Sequence, residues 1–165
     1  MDMLLDPVTL ELDLSSLRPG SNAGEFEIDC GAIDWDIEEA SPEPGKGLLR
    51  LEVIYRERTV VCRGTLAASF RTSCARCLEP AKFAVTEGIL AAWTSEREEA
   101  DETMRVYSGG RHLGILDAVR EAVVLSIPGK PLCREDCRGL CHVCGANLNR
   151  GSCAHSGPAE SEQAR

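Results

Sequence analysis

LLRLEVIYRERTVVCRGTLAASF, residues 48–70, decides the fold. Leu49, Leu51, Val53 and Tyr55 fall on one side of an alternating run, with Arg50, Glu52 and Arg56 on the other. A period of two is the mark of a strand with one face in a core and one in water. After the polar turn RERT the rule repeats, with Val60, Cys62, Leu66 and Phe70 on one side and Arg63, Thr65, Ser69 and Arg71 on the other. Two such runs joined by a short polar turn predict a hairpin. Alternation resumes in KFAVTEGILAAW, residues 82–93, through Phe83, Val85, Ile89, Ala91 and Trp93. Between the two lies SCARCLEP, residues 73–80, so Cys74 and Cys77 are expected at a tip between strands.

The rest of the chain hangs on this sheet. Residues 1–47 mix alternating pieces (VTLELDL, EFEIDC) with turn chemistry (RPGSNAG, SPEPGKG) and read as two short strands with irregular connections. Residues 94–112 are charged and read as loop, with a short strand at MRVY. LGILDAVREAVVLSIP changes period: Leu116, Val119, Val123 and Ile127 recur at three- and four-residue steps, one stripe of a helix that Pro128 and Gly129 stop. The class is therefore α+β: an antiparallel β-rich domain with one main amphipathic helix and a C-terminal cysteine-rich zinc-knuckle segment. Its expected parts are 1–47, acidic strands and loops packed on the core; 48–130, the central antiparallel sheet plus helix; 131–155, the cysteine-rich zinc-binding segment; and 156–165, a polar tail with nothing to bury and expected to be disordered.

Charge is unevenly placed. The net charge is −9, yet residues 1–47 hold twelve acids against Arg18 and Lys46. Between Arg50 and Arg76 six arginines face only Glu52 and Glu57. One region suits a basic partner and the other suits phosphate, while the strongly acidic whole argues against autonomous tight binding to RNA. The opening MDMLLDPVTLELD has acids where a secretory leader needs positive charge, and no apolar run approaches the roughly 18 residues of a membrane span, so a cytoplasmic location and no membrane partner are expected.

In a reducing compartment nine cysteines (30, 62, 74, 77, 133, 137, 141, 144 and 153) argue for metal rather than disulfides. A CxxC turn aims two sulfurs at one point, and zinc takes four such ligands at tetrahedral corners. The chain has two of these turns, Cys74/Cys77 and Cys141/Cys144, plus Cys133 and Cys137 at C-x3-C spacing and Cys153 beside His155. Two partitions fit. In one, Cys74, Cys77, Cys133 and Cys137 share an ion while Cys141, Cys144, Cys153 and His155 hold a second. In the other, Cys133, Cys137, Cys141 and Cys144 close on themselves. The first uses every closely spaced cysteine and staples helix to sheet; spacing alone leaves both open. Cys30 and Cys62, inside apolar alternation, read as small core residues, and His112 and His142 as surface residues.

An all-thiolate cage is closed and inert, whereas a catalytic zinc keeps an open position. The histidines read HLG, HVC and HSG, with no HxE of a zinc deaminase, and CARC leads into a strand rather than the helix a thioredoxin-like thiol requires. No catalytic residue, small-molecule substrate or organic cofactor is expected, and the zinc, one or two ions, is structural. A structural zinc contributes roughly 10–16 kcal/mol of apparent binding energy, while residues 132–153 offer Leu132, Leu140, Val143 and Leu148 and little else apolar. That segment is expected to be loose without metal.

The order of a β-rich first half, CARCLEP (Cys74, Arg76, Cys77, Leu78), the helix VREAVVLSIP and LCREDCRGLCHVCGANLN resembles the YceD-like family of large ribosomal RNA accumulation proteins. The likeness runs from about Leu48 to Cys153. It implies a non-catalytic bacterial or organellar ribosome biogenesis factor that supports accumulation or processing of large-subunit (23S) ribosomal RNA. Partners implied are a large-subunit ribosomal protein and/or a ribosomal RNA precursor, and Cys74, Cys77, Cys133, Cys137, Cys141 and Cys144 are the motif positions. On charge, the acidic arm would receive a basic ribosomal protein, while Arg56, Arg63, Arg71 and Arg76 would approach RNA. The alternative is a zinc- or redox-responsive regulatory protein or a nucleic-acid-binding zinc ribbon.

Overall fold

The computed structural model describes residues 3–98, 100 and 102–155. The tail expected to be disordered, 156–165, lies outside the described residues. In chain order the elements are β1 (Glu11–Asp13), β2 (Gly20–Asp29), β3 (Ser41–Pro42), β4 (Lys46–Arg56), β5 (Thr59–Ala67), β6 (Ser69–Ser73), β7 (Pro80–Ala84), β8 (Ile89–Thr94), β9 (Met104–Val106), β10 (His112–Gly114) and α1 (Leu116–Leu125). They form a five-stranded sheet in the order β2-β4-β5-β8-β9, a three-stranded sheet β3-β6-β7 and the small pair β1-β10. The mostly β composition with one helix follows the alternation in the sequence.

The β4–β5 hairpin is where the pattern places it. Leu49, Leu51, Val53, Val60, Cys62 and Leu66 are buried, Arg50 and Arg63 are exposed, and the strands pair from Leu48↔Ala67 to Arg56↔Thr59. The run 60–70 is not one strand, however. It leaves the large sheet at Ala68 and continues as β6 in the smaller one, and the returning run 82–93 breaks at 85–88 between β7 and β8. Val85 donates its N–H to the Ala68 carbonyl at 3.1 Å, so both strands turn the corner together. Switching sheets at a corner lets one hairpin line two faces of one core. Phe70 and Phe83 are stacked past the bend at 6.0 Å between centroids, and Trp35 meets Phe70 edge-on at 5.2 Å.

Two further expectations change. The acidic region contributes a ten-residue strand, β2, rather than a short EFEIDC piece, because β4 carries the Gly- and Asn-containing stretch GSNAG in its ladder from Gly20↔Tyr55 to Asp29↔Lys46. The large sheet is antiparallel except for β9, which lies parallel to β8. Helix α1 packs on β8 through buried Ala118, Val119, Ala122 and Val123. No helix among the described residues is long and apolar enough to cross a membrane.

Candidate metal centre

The extension of the hairpin into β6 and β7 carries CARC beyond the main sheet. There Cys74, Cys77, Cys133 and Cys137 converge, all four sulfurs lying within 4.8 Å of one another. Cys74 and Cys137 are 3.7 Å apart, and Cys77 and Cys133 are 3.5 Å apart. A tetrahedron with metal–sulfur bonds of about 2.3 Å has edges of about 3.8 Å, so the donor set and its spacing fit a tetrahedral thiolate-binding ion. Cys141, Cys144, Cys153 and His155 form a second group within the same limit. This is the arrangement of the first partition; the self-contained alternative, Cys133 and Cys137 with Cys141 and Cys144, is not the one the fold makes. None of the nine cysteines is in a disulfide.

Both CxxC turns have the same backbone. Leu78 N–H donates to the Cys74 carbonyl at 3.0 Å, and Gly145 N–H to the Cys141 carbonyl at 2.9 Å. Cys74 N–H then bonds the Glu79 carbonyl, and Cys141 N–H the Ala146 carbonyl, each at 2.8 Å. The residue after the second cysteine must take positive φ: 62° at Leu78 and 71° at Gly145. Glycine holds that conformation at no steric cost, whereas leucine is strained there.

The two groups are laced together. Leu140 N–H donates to the Arg76 carbonyl at 3.0 Å, and Arg76 returns a guanidinium bond to the Cys137 carbonyl at 2.8 Å. Asn149, in the loop between the outer ligands, donates to the Cys137 sulfur at 3.3 Å and accepts from Arg138 N–H at 2.8 Å and from Arg134 at 2.9 Å. Asn147 donates to Glu79 at 3.1 Å, and Arg150 also pairs with that carboxylate. The GANLN stretch thus supplies outer-shell hydrogen bonds of the kind that orient metal ligands. Spacing rules gave Asn147 and Asn149 no role, because their partners lie in segments remote in sequence.

Electrostatics of the inner group point the same way. Burial pushes the Cys74 thiol up, but the amides of Arg76, Cys133 and Cys77 outweigh it and bring the thiol down to about 6. Cys137 is likewise lowered, the Asn149 amide and Gly139 N–H overcoming burial. Cys133 is pushed up to about 12 by burial and by the neighbouring Cys77, Cys137 and Cys74. Cys77 is also raised: Glu79 N–H and Cys133 lower it, but burial, Cys137 and Cys74 outweigh them. In the outer group Cys144 is raised, Cys141 and Cys153 overcoming the Ala146 amide. Four crowded thiols cannot all ionise alone, and a dication among them removes that conflict.

The remaining candidates fall elsewhere. Cys30 and Cys62 are buried in the core, their thiols raised by burial, Cys62 to about 12. His112 and His142 are exposed. The arginines expected to form an RNA-facing row are largely engaged: Arg63 pairs with Glu52 at 2.7 Å, Arg71 with Glu43 at 3.7 Å, and Arg76 bonds the Cys137 carbonyl. Glu52 lies within the same Arg50–Arg76 stretch, whereas Glu43 and Cys137 reach Arg71 and Arg76 from outside it. Arg56 has no ion-pair partner among the described residues.

The model of the family described as "Large ribosomal RNA subunit accumulation protein YceD" matches residues 62–165. An uncharacterized protein of Mycobacterium tuberculosis is 35% identical over 149 residues, covering 86% of this chain and 71% of the relative. An uncharacterized protein of Mycobacterium leprae is 27% identical over 160 residues, covering 88% of this chain and 69% of that relative. No solved structure matches the chain.

Proposed function

The chain belongs to the YceD family of large ribosomal RNA subunit accumulation proteins, and from that premise we propose that it is a non-catalytic factor supporting accumulation of large-subunit ribosomal RNA, with zinc as a structural ion in both four-ligand groups. The observation that carries the reading is the inner cluster: four convergent cysteine sulfurs join the hairpin tip to the segment behind the helix. Cys74, Cys77, Cys133 and Cys137 would hold one ion and Cys141, Cys144, Cys153 and His155 the other. Zinc suits a soft tetrahedral donor set, and when bound it supplies cross-linking rather than reactivity. The chain's own residues fix the ligands through Arg76 and Asn149 and present the surfaces on which a partner binds.

Between the two partner classes the reading favours a ribosomal protein. Arg63, Arg71 and Arg76 are engaged internally, whereas of the twelve acids in residues 1–47 only Asp13, Glu25, Glu27 and Glu43 meet a basic side chain among the described residues, so the unpaired excess there is acidic. The test is depletion of the protein in its host, with total RNA resolved into large- and small-subunit species. Large-subunit ribosomal RNA should fall relative to small-subunit RNA and return with the wild-type chain but not with Cys74→Ser. An unchanged ratio overturns the proposal.

A further inference from the structure

β2 is an edge strand of the five-stranded sheet, and its hydrogen-bonding direction can be assigned. Arg56 and Thr59 pair across a turn of only Glu57 and Arg58, and such a pair must exchange both of its backbone hydrogen bonds. Even-numbered residues of β4 therefore bond β5, and odd-numbered residues bond β2. Through Asn22↔Val53 and Gly24↔Leu51, the even-numbered residues of β2 face β4. Ser21, Ala23, Glu25 and Glu27 turn their N–H and C=O groups outward, and among the described residues no backbone partner meets them.

A long open edge is normally blocked by lysine, proline, a bulge or a covering loop. β2 has no lysine or proline, and its register runs unbroken over ten pairs. Beside it runs a mainly polar groove of about 510 Å³ lined by Met3, Arg18 and residues 21–26, in which the half-buried Phe26 ring, with buried Met3 next to it, covers the Cα of Gly24 and leaves the backbone edge itself open. Like charge guards the edge. Antiparallel pairing with a second copy would bring Glu25 and Glu27 of both chains onto one face, at cross-strand spacings of about 5 Å. Arg50 and Lys46 neutralise these acids only through exposed pairs, which are weak and screened. The fitting occupant is an extended segment with basic residues toward Glu25 and Glu27 and, on its other face, uncharged residues that can lie beside Phe26.

We infer that the open edge of β2 is a strand-addition site for a basic, extended segment of a partner polypeptide, which becomes the sixth strand of the sheet beside Ser21, Ala23, Glu25 and Glu27. The inference rests on the protein-partner reading above. Its test uses a synthetic probe and leaves the ribosomal RNA ratio untouched, so either can fail without the other. The probe is a peptide of alternating lysine and valine, ten residues long to match β2, with an alternating glutamate and valine peptide as control. Amide hydrogen exchange is followed by NMR on the metal-loaded full chain. The basic peptide should slow exchange at Ser21, Ala23, Glu25 and Glu27, and the acidic peptide should not. Ala23→Pro removes an outward donor and no ladder bond, so the sheet should persist while binding weakens about tenfold, the equivalent of one net hydrogen bond. Glu25→Lys with Glu27→Lys should reverse the preference between the peptides. The inference is overturned by equal binding of both peptides, by protection away from β2, by no binding at millimolar peptide, or by protection of these amides in the peptide-free chain that grows with its concentration.

Discussion

The two four-ligand groups share a turn geometry and most of a donor set, yet they sit in opposite surroundings. In the inner group Cys74, Cys77 and Cys137 are 0%, 3% and 2% exposed, and the pairs Cys74/Cys137 and Cys77/Cys133 span 63 and 56 positions of sequence. In the outer group Cys144 and His155 are exposed, and all four ligands come from one short stretch, residues 141–155. An inner ion would close a long loop and tie the hairpin tip to the chain behind α1; an outer ion would close only its own loop. The same donor chemistry would thus serve as a tertiary cross-link in one place and as a local brace in the other.

Removing one ligand from each group gives the sharpest break. Cys74→Ser should eliminate the inner ion and with it a large part of the roughly 10–16 kcal/mol a structural zinc contributes, releasing the hairpin tip and residues 130–155 together. Cys144→Ser should cost only the outer ion and move the melting temperature of the β domain by no more than about 4 °C, the equivalent of about 1 kcal/mol. Native mass spectrometry counts the ions, and thermal unfolding followed by near-ultraviolet circular dichroism reports the sheet. Equal losses from the two variants would abolish the distinction.

How much of this was legible in the sequence follows from which forces are local. The burial of Leu49, Leu51, Val53, Val60 and Cys62 is written in a two-residue period, so the first hairpin and the position of CARC at its tip could be read directly. The corner at Ala68 could not, because Leu66 and Phe70 stay apolar on both sides of it and the bend is set by the Val85–Ala68 bond across the hairpin. GSNAG has the composition of a turn and became strand only because β4 offered a ladder. The metal partition was undetermined for a similar reason. Cys133 and Cys137 are nearer in sequence to Cys141 and Cys144, and tertiary contacts, the packing of α1 on β8 and the bond from Ala75 N–H to the Pro131 carbonyl among them, carry them back to the tip. Charge pairing was the least local feature: Arg71 finds Glu43 across 28 positions of sequence, and no count along the hairpin registers it.

Asn149 probes the coupling between the groups at an intermediate scale. Its side chain touches an inner ligand while its backbone lies in the loop that the outer ligands close. Asn149→Ala should lower inner-site affinity about 10- to 100-fold, as loss of an outer-shell partner typically does, and leave both ions bound at stoichiometric metal. Competition with a chromophoric chelator measures the shift. A fall confined to the outer ion would mean that the Cys137 contact is idle.

The smallest effect tests the equivalence of the two turns themselves. Leu78 and Gly145 occupy the same left-handed position after their cysteines, and the Leu78 side chain is 69% exposed, so little packing is lost with it. A non-glycine residue at positive φ costs about 1–2 kcal/mol, less what glycine loses in the unfolded chain. Leu78→Gly should therefore stabilise the protein, by no more than about 1 kcal/mol. Gly145→Leu should destabilise it by a similar amount, since no atom lies within 4 Å of an added Cβ and only conformational strain is introduced. Denaturant titration of the metal-loaded chain reads both. Opposite signs of similar size would establish that the turns differ only in this residue. If Leu78→Gly destabilised the protein instead, the exposed leucine would have to be making a contact that its strained backbone is retained to provide.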